Sequence, residues 1–123
     1  MIEAHGQNLV FLCSTPRAGS TLLSAILSNH SQVHCPNEPW FLLGLSALFQ
    51  RTNLTFAAYD HAGVEVGLQQ FLTEPQFVDA ARAFALQAYN GALRQTGKVL
   101  FVDKTPRYYH ILPFLERLFP QAK

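Results

Sequence analysis

Apolar positions along the chain cluster into two kinds of run, short continuous ones and longer ones spaced at helical intervals. Leu9-Val-Phe-Leu-Cys13, between Asn8 and Ser14, is a continuous run of strand length. That pattern belongs to a strand buried on both faces of a parallel sheet. Thr15-Pro-Arg-Ala-Gly19 reads as a turn. From Ser20 the apolar residues Leu22, Leu23, Ala25, Ile26 and Leu27 suit a helix packed on that sheet, ending at Asn29-His30-Ser31. Val33 to Cys35 predicts a short second strand. Pro36-Asn-Glu-Pro39 then forces a loop, because each proline restricts its own φ and the residue before it.

Trp40 to Gln50 reads as a buried helix, and Arg51 to Gly67, of mixed polarity with two glycines, as the least regular stretch. A long helix is predicted from Glu74-Pro75 to Gly97, with Phe77, Val78, Ala81, Phe84, Ala85, Ala88, Tyr89 and Leu93 on one face. Val99 to Asp103 is a further strand of the buried kind. A last helix, with Pro113 near its start, carries Leu112, Leu115, Leu118 and Phe119 and stops at Pro120. Alternating strands and helices argue for an α/β fold with a parallel sheet and right-handed crossovers. Pro120 to Lys123 stands where such a unit would return through another strand, so the chain reads as the N-terminal portion, residues 1–123, of one larger domain.

Composition narrows the function classes. The chain has 123 residues, 49% hydrophobic and 14% charged, which fits one packed unit and not a disordered segment. Its formal charge of +1 is scattered without a basic block, against an electrostatic nucleic-acid or membrane-surface partner. The longest apolar stretch, Trp40 to Phe49, is about half the ~20 residues a bilayer-crossing helix needs, and no signal peptide is visible, so a cytoplasmic location is expected. Cys13 and Cys35 form no metal pattern and read as reduced core residues inside strands; no metal site is expected.

The candidate chemistry lies after the first strand. Ligands of α/β sheets bind outside the carboxyl ends of strands, where a strand-to-helix loop aims N–H groups at an anion. Ser14-Thr-Pro-Arg-Ala-Gly-Ser-Thr21 occupies that place. Against the nucleotide-triphosphate loop G-x-x-x-x-G-K-S/T, Ser14 replaces the first glycine and Ser20 replaces the lysine, while Gly19 and Thr21 match. Arg17 instead brings a guanidinium fork able to bond two oxygens of a phosphate or sulfate. The bland reading is a tight turn with a solvated Arg17 and Ser20 as helix cap.

Thr15-Pro-Arg-Ala-Gly-Ser-Thr-Leu-Leu23 resembles the 5′-phosphosulfate loop, P-R-S-G-T-T-L, of sulfotransferases that use 3′-phosphoadenosine 5′-phosphosulfate (PAPS) as donor. The likeness continues through Asn29-His30 and Val33 to Asn37-Glu38. It extends to Val102-Asp-Lys-Thr-Pro-Arg-Tyr108, similar to a D-K-T-P or D-K-S-P segment of bacterial members and protein-tyrosine sulfotransferases. The resemblance implies a P-loop-like three-layer fold, incomplete in this chain. It implies that Arg17, Ala18, Gly19, Ser20, Thr21 and Leu22 hold the 5′-phosphosulfate, without a metal. By the same resemblance the 3′-phosphate is held by an R-D-P or R-N-P segment that this sequence lacks.

In that setting Glu38 is the expected general base that deprotonates a hydroxyl or amine on a small-molecule, carbohydrate or peptide acceptor. Lys104, just past a strand end, is expected to stabilise charge on the transferring group or the bridging oxygen. The plainer roles are a solvated loop carboxylate or an arginine's ion-pair partner for Glu38, and a surface lysine paired with Asp103 for Lys104. Arg107 reads either as a ligand contact or as an ion-pair residue. His30, His34 and His110 read as turn, strand and helix-surface residues, and Trp40 as core. Two other classes compete: a P-loop kinase-like nucleotide-binding protein, which needs a lysine near position 20 and a magnesium carboxylate, and a noncatalytic anion- or partner-binding scaffold.

Overall fold

A computed structural model describes residues 1–49 and 58–123. The elements run β1 (Leu9–Phe11), α1 (Ser20–Ser28), β2 (Val33–His34), α2 (Phe41–Phe49), α3 (Ala58–Gln69), α4 (Glu74–Thr96), β3 (Leu100–Asp103), a 3₁₀ turn (Pro106–Ile111) and α5 (Leu112–Leu118). The three strands form one parallel sheet in the order β1-β3-β2. Leu9, Val10 and Phe11 stand opposite Phe101, Val102 and Asp103, and Val33 and His34 opposite Leu100 and Phe101. The chain therefore skips a place after β1, and β3 later fills it. All three strands end at one edge of the sheet, and the end of β3 lies between the loops that leave β1 and β2.

Strand alternation sorts the core into two layers. Leu9 and Phe101 face the larger cluster, built with Leu42, Tyr89, Tyr108, Leu118 and Phe119 from the helices. Val33, Cys35 and Val102 form a smaller one, with Val10, Leu12 and Leu27 against it. A helix layer thus covers each face, as expected of a three-layer α/β unit. At the outer edge of β1, the Phe11 N–H donates to the Lys123 carbonyl at 2.8 Å and the Lys123 N–H to the Leu9 carbonyl at 3.0 Å. This is the pattern of parallel pairing, so Lys123 satisfies backbone groups on the edge of β1 that faces away from β3.

Local chemistry explains the element ends. Thr73 caps α4 with a reciprocal capping box, its hydroxyl accepting from the Gln76 N–H and the Gln76 side chain accepting from the Thr73 N–H. Gly97, at φ 69°, closes the same helix in the left-handed conformation that glycine adopts without strain. The Arg82 guanidinium donates to the carbonyls of Leu118 and Arg117 at the end of α5, at 2.6 and 2.9 Å, tying α5 to α4.

The structure corrects several expectations. Leu22, Leu23 and Ile26 of α1 are exposed, at 68, 42 and 58%, and the inward face is Ser24, Leu27 and Ser28. Serines can point inward because their hydroxyls are satisfied locally: Ser24 donates to the Thr21 carbonyl, and Ser28 to the carbonyls of Ser24 and Cys35. On α4, Phe84 and Ala88 lie outside the buried face, although the Phe84 ring meets Phe41 edge-on. The stretch read as irregular is helical from Ala58 on and packs along α2, while residues 50–57 lie outside the described residues. Cys13 and Cys35 are free thiols, but each sits just past a strand end and not within a strand.

Candidate active site at the strand ends

Gly19, at φ 84°, is the N-cap of α1 and offers no side chain, so Ser20 is the first helical residue and not the cap. Arg17 is also left-handed, at φ 65°. A Cβ on Gly19 would meet nothing within 4 Å, so glycine serves the backbone angle here and not clearance. The N–H groups of Ser20, Thr21 and Leu22 lie in the first turn, which has no carbonyl of its own to accept them. No acidic residue occupies that turn. Ala18 differs from its neighbours: its N–H donates to the Thr15 carbonyl at 3.3 Å and is spent within the loop. The Ser14 hydroxyl, at the foot of the loop, is buried with no partner among the described residues. Orphan donors, a positive helix end and a guanidinium together fit an oxyanion group.

Opposite this loop, Lys104 is buried, only 4% exposed. Its ammonium donates to Glu38 Oε1 at 2.6 Å and to Thr21 Oγ1 at 3.4 Å. The plainer alternative, a surface lysine paired with Asp103, does not hold: Lys104 leaves the sheet on the face opposite Asp103 and meets the Glu38 loop. Glu38, in turn, is a half-buried ion-pair partner and not a free loop carboxylate. A cavity of about 650 Å³ opens above them, walled by Arg17, Gly19 to Leu22, Glu38, Pro106 and Arg107. Trp40 completes the wall. It is 43% exposed, so the expected core role does not hold.

Asp103 faces the other side and is fully buried. Its carboxylate accepts hydrogen bonds from the hydroxyls of Tyr89 at 2.5 Å, Thr105 at 2.8 Å and Tyr108 at 3.2 Å. Burial pushes its pKa up to about 6; the three hydrogen bonds work against that rise, and the nearby Glu38 charge adds to it. Burial and the same carboxylate push the Tyr89 and Tyr108 hydroxyls upward, which keeps both as donors. Cys13 is raised by burial and by Asp103, the wrong direction for a reactive thiolate. Both Asp103 oxygens are therefore engaged by hydroxyls, on the face of the sheet away from Lys104 and Glu38.

A profile of the sulfotransferase family matches residues 9–123. The chain belongs to the sulfotransferase family. Among curated relatives it is 37% identical over 120 residues to nodulation protein NoeE of Sinorhizobium fredii, covering 93% of this chain and 27% of that protein. It is 29% identical over 118 residues to human protein-tyrosine sulfotransferase 1, covering 94% and 29% of the two chains. A putative protein-tyrosine sulfotransferase of Caenorhabditis briggsae is also 29% identical, over 119 residues, covering 95% and 38%. The chain spans about a third of the length of these relatives.

Within this sulfotransferase-family chain, then, the structure brings Arg17, Gly19, Ser20, Thr21, Leu22 and Glu38 to the wall of one cavity, with the buried Lys104 bonded to Thr21 and Glu38, and leaves Ala18 out of that wall. Of the three histidines read above, His34 packs edge-on to Phe101, His30 Nδ1 accepts the Gln32 N–H, and His110 is exposed in the 3₁₀ turn. Sequence reasoning missed the Tyr89, Thr105 and Tyr108 contacts to Asp103. Tyr89 stands in an otherwise apolar helical stripe, and a tyrosine buried there needs a partner for its hydroxyl.

Proposed function

We propose that this chain carries the donor loop and the acid–base pair of a PAPS-dependent sulfotransferase acting on a hydroxyl or amine. The observation that carries this reading is the Lys104 ammonium, which touches Thr21 on the loop side and Glu38 on the other side of one cavity. PAPS, when bound, supplies a sulfuryl group on a phosphosulfate anhydride. The Arg17 guanidinium and the N–H groups of Gly19 to Leu22, with the Ser20 and Thr21 hydroxyls, hold the anionic end. The Glu38 carboxylate takes the acceptor proton, and Lys104 offsets the negative charge that develops between donor and acceptor. Trp40, Pro106 and Arg107 form the acceptor side of the wall. The names of the relatives include protein-tyrosine sulfotransferases, so a tyrosyl hydroxyl is one acceptor to assay, beside sugar hydroxyls and amines.

Isothermal titration of the full-length protein with PAPS and with ATP tests this reading. PAPS is expected to bind in preference to ATP, and Arg17→Ala to lose that binding. Preference for ATP would instead support a kinase-like nucleotide protein. No binding of either would leave a noncatalytic scaffold.

A further inference from the structure

Trp40 carries a backbone outlier whose cause lies across the sheet. It is the single tryptophan of the chain and adopts φ 60°, a left-handed conformation costly for a bulky residue, two positions after Glu38. Such strain persists only where the surroundings over-determine it. Here the Trp40 N–H donates to Thr105 Oγ1 and the Leu42 N–H to the Tyr108 hydroxyl, each at 3.4 Å. Both acceptor oxygens are buried, and each donates its own proton to Asp103. Leu42 lies in the first turn of α2, where an N–H has no helical carbonyl, so the Tyr108 hydroxyl acts as a remote cap.

We propose that Asp103, through Thr105 and Tyr108, is the positioning residue of this site, holding the backbone after Glu38 in the strained turn that presents Trp40 as a cavity wall beside Glu38. The logic is one of donor orientation. Two hydroxyls committed as donors to one carboxylate must offer lone pairs in the other direction, and there they meet the two N–H groups of the Trp40 turn. The neighbouring residue on β3's exit, Lys104, holds Glu38 itself by the ion pair. Asp103 and Lys104 thus grip the same loop from the two faces of the sheet, one by its backbone and one by its side chain. Groups that approach Asp103 from the elements around it are Tyr89 on α4, Tyr108 on the 3₁₀ turn, Cys13 after β1, and Glu38 and Lys104 across the sheet. The role of Trp40 as acceptor wall rests on the proposed function; the control of its turn by Asp103 does not.

Amide hydrogen exchange and Trp40 fluorescence of the whole chain test this inference without any turnover. Thr105→Val is expected to speed exchange at the Trp40 N–H by about tenfold, the loss of one buried acceptor, and to change acrylamide quenching of Trp40; Thr105→Ser should restore both. Tyr108→Phe is expected to act at the Leu42 N–H, and Asp103→Asn at both amides together. Unchanged exchange and quenching in folded Asp103→Asn would overturn the proposal. If that variant does not fold, wild-type exchange at Trp40 in Thr105→Val overturns it equally. Should PAPS fail to bind while these amides respond, the donor reading falls and the positioning device stands. Should PAPS bind while the amides stay silent, the reverse holds.

Discussion

The loop after β1 and the junction after β3 face each other across one cavity, yet they are built on opposite principles. The first is exposed and made of backbone: left-handed Arg17 and Gly19 and the free first turn of α1. The second is buried and made of side chains drawn from distant parts of the chain, Asp103 with Tyr89 and Tyr108, Lys104 with Glu38. A loop of the first kind is specified by a short run of residues, since a glycine and a helix start suffice to aim amides at an anion. A junction of the second kind exists only once the sheet has brought β3 between β1 and β2.

The sharpest way to break this comparison is at its two charged ends. In the full-length protein, Glu38→Gln keeps the size of the side chain but removes the proton acceptor, and turnover should fall about 10²–10⁴-fold with a much smaller change in donor affinity; steady-state kinetics beside calorimetric donor binding checks the split, and unchanged turnover removes Glu38 as base. Arg17→Ala removes a charge-assisted contact of about 1.5–3 kcal/mol, so donor affinity should drop roughly 10–150-fold while thermal stability hardly moves. The loop's contribution would then be binding and the junction's chemistry.

The junction should also show itself in the pH dependence of stability. Folding raises the Asp103 pKa from 3.8 to about 6, so the native protein holds this proton more tightly than the unfolded chain. Its contribution to stability is complete below pH 3.8 and is lost as pH rises through about 6. The melting temperature of the wild type should therefore fall across that window relative to Asp103→Asn, in which this component is absent; parallel curves for the two proteins would contradict the assignment. The smallest effect belongs to the loop. Gly19→Ala meets no atom and costs only its left-handed backbone, about 1 kcal/mol by chemical denaturation.

The elements themselves were legible because burial on both faces leaves an unbroken apolar run: β1, β2 and β3 all lie within the predicted strand segments, and α4 within its predicted bounds. The inward face of α1 was not legible, because serines whose hydroxyls bond their own helix can pack inward while leucines stay outside. Helix α3 was obscured by its glycines and mixed polarity, which lower intrinsic propensity; packing along α2 supplies what the local sequence withholds. Trp40 misled for a different reason. Hydrophobicity argues for the core, and a backbone constraint imposed from Thr105, 65 residues away, turns it to the cavity.

What the chain's order of residues determined alone is local: the strand and helix segments, the loop from Arg17 into the start of α1, and the position of Glu38 and Lys104 beyond strand ends. Tertiary structure alone decided which of these meet. Placing β3 in the middle of the sheet set Lys104 between Thr21 and Glu38 and sent Asp103 to the opposite face, where α4, Thr105 and the 3₁₀ turn each supply one of its three donors. A strand's alternation separates adjacent residues by the full thickness of the sheet, and only the strand order says what waits on either side.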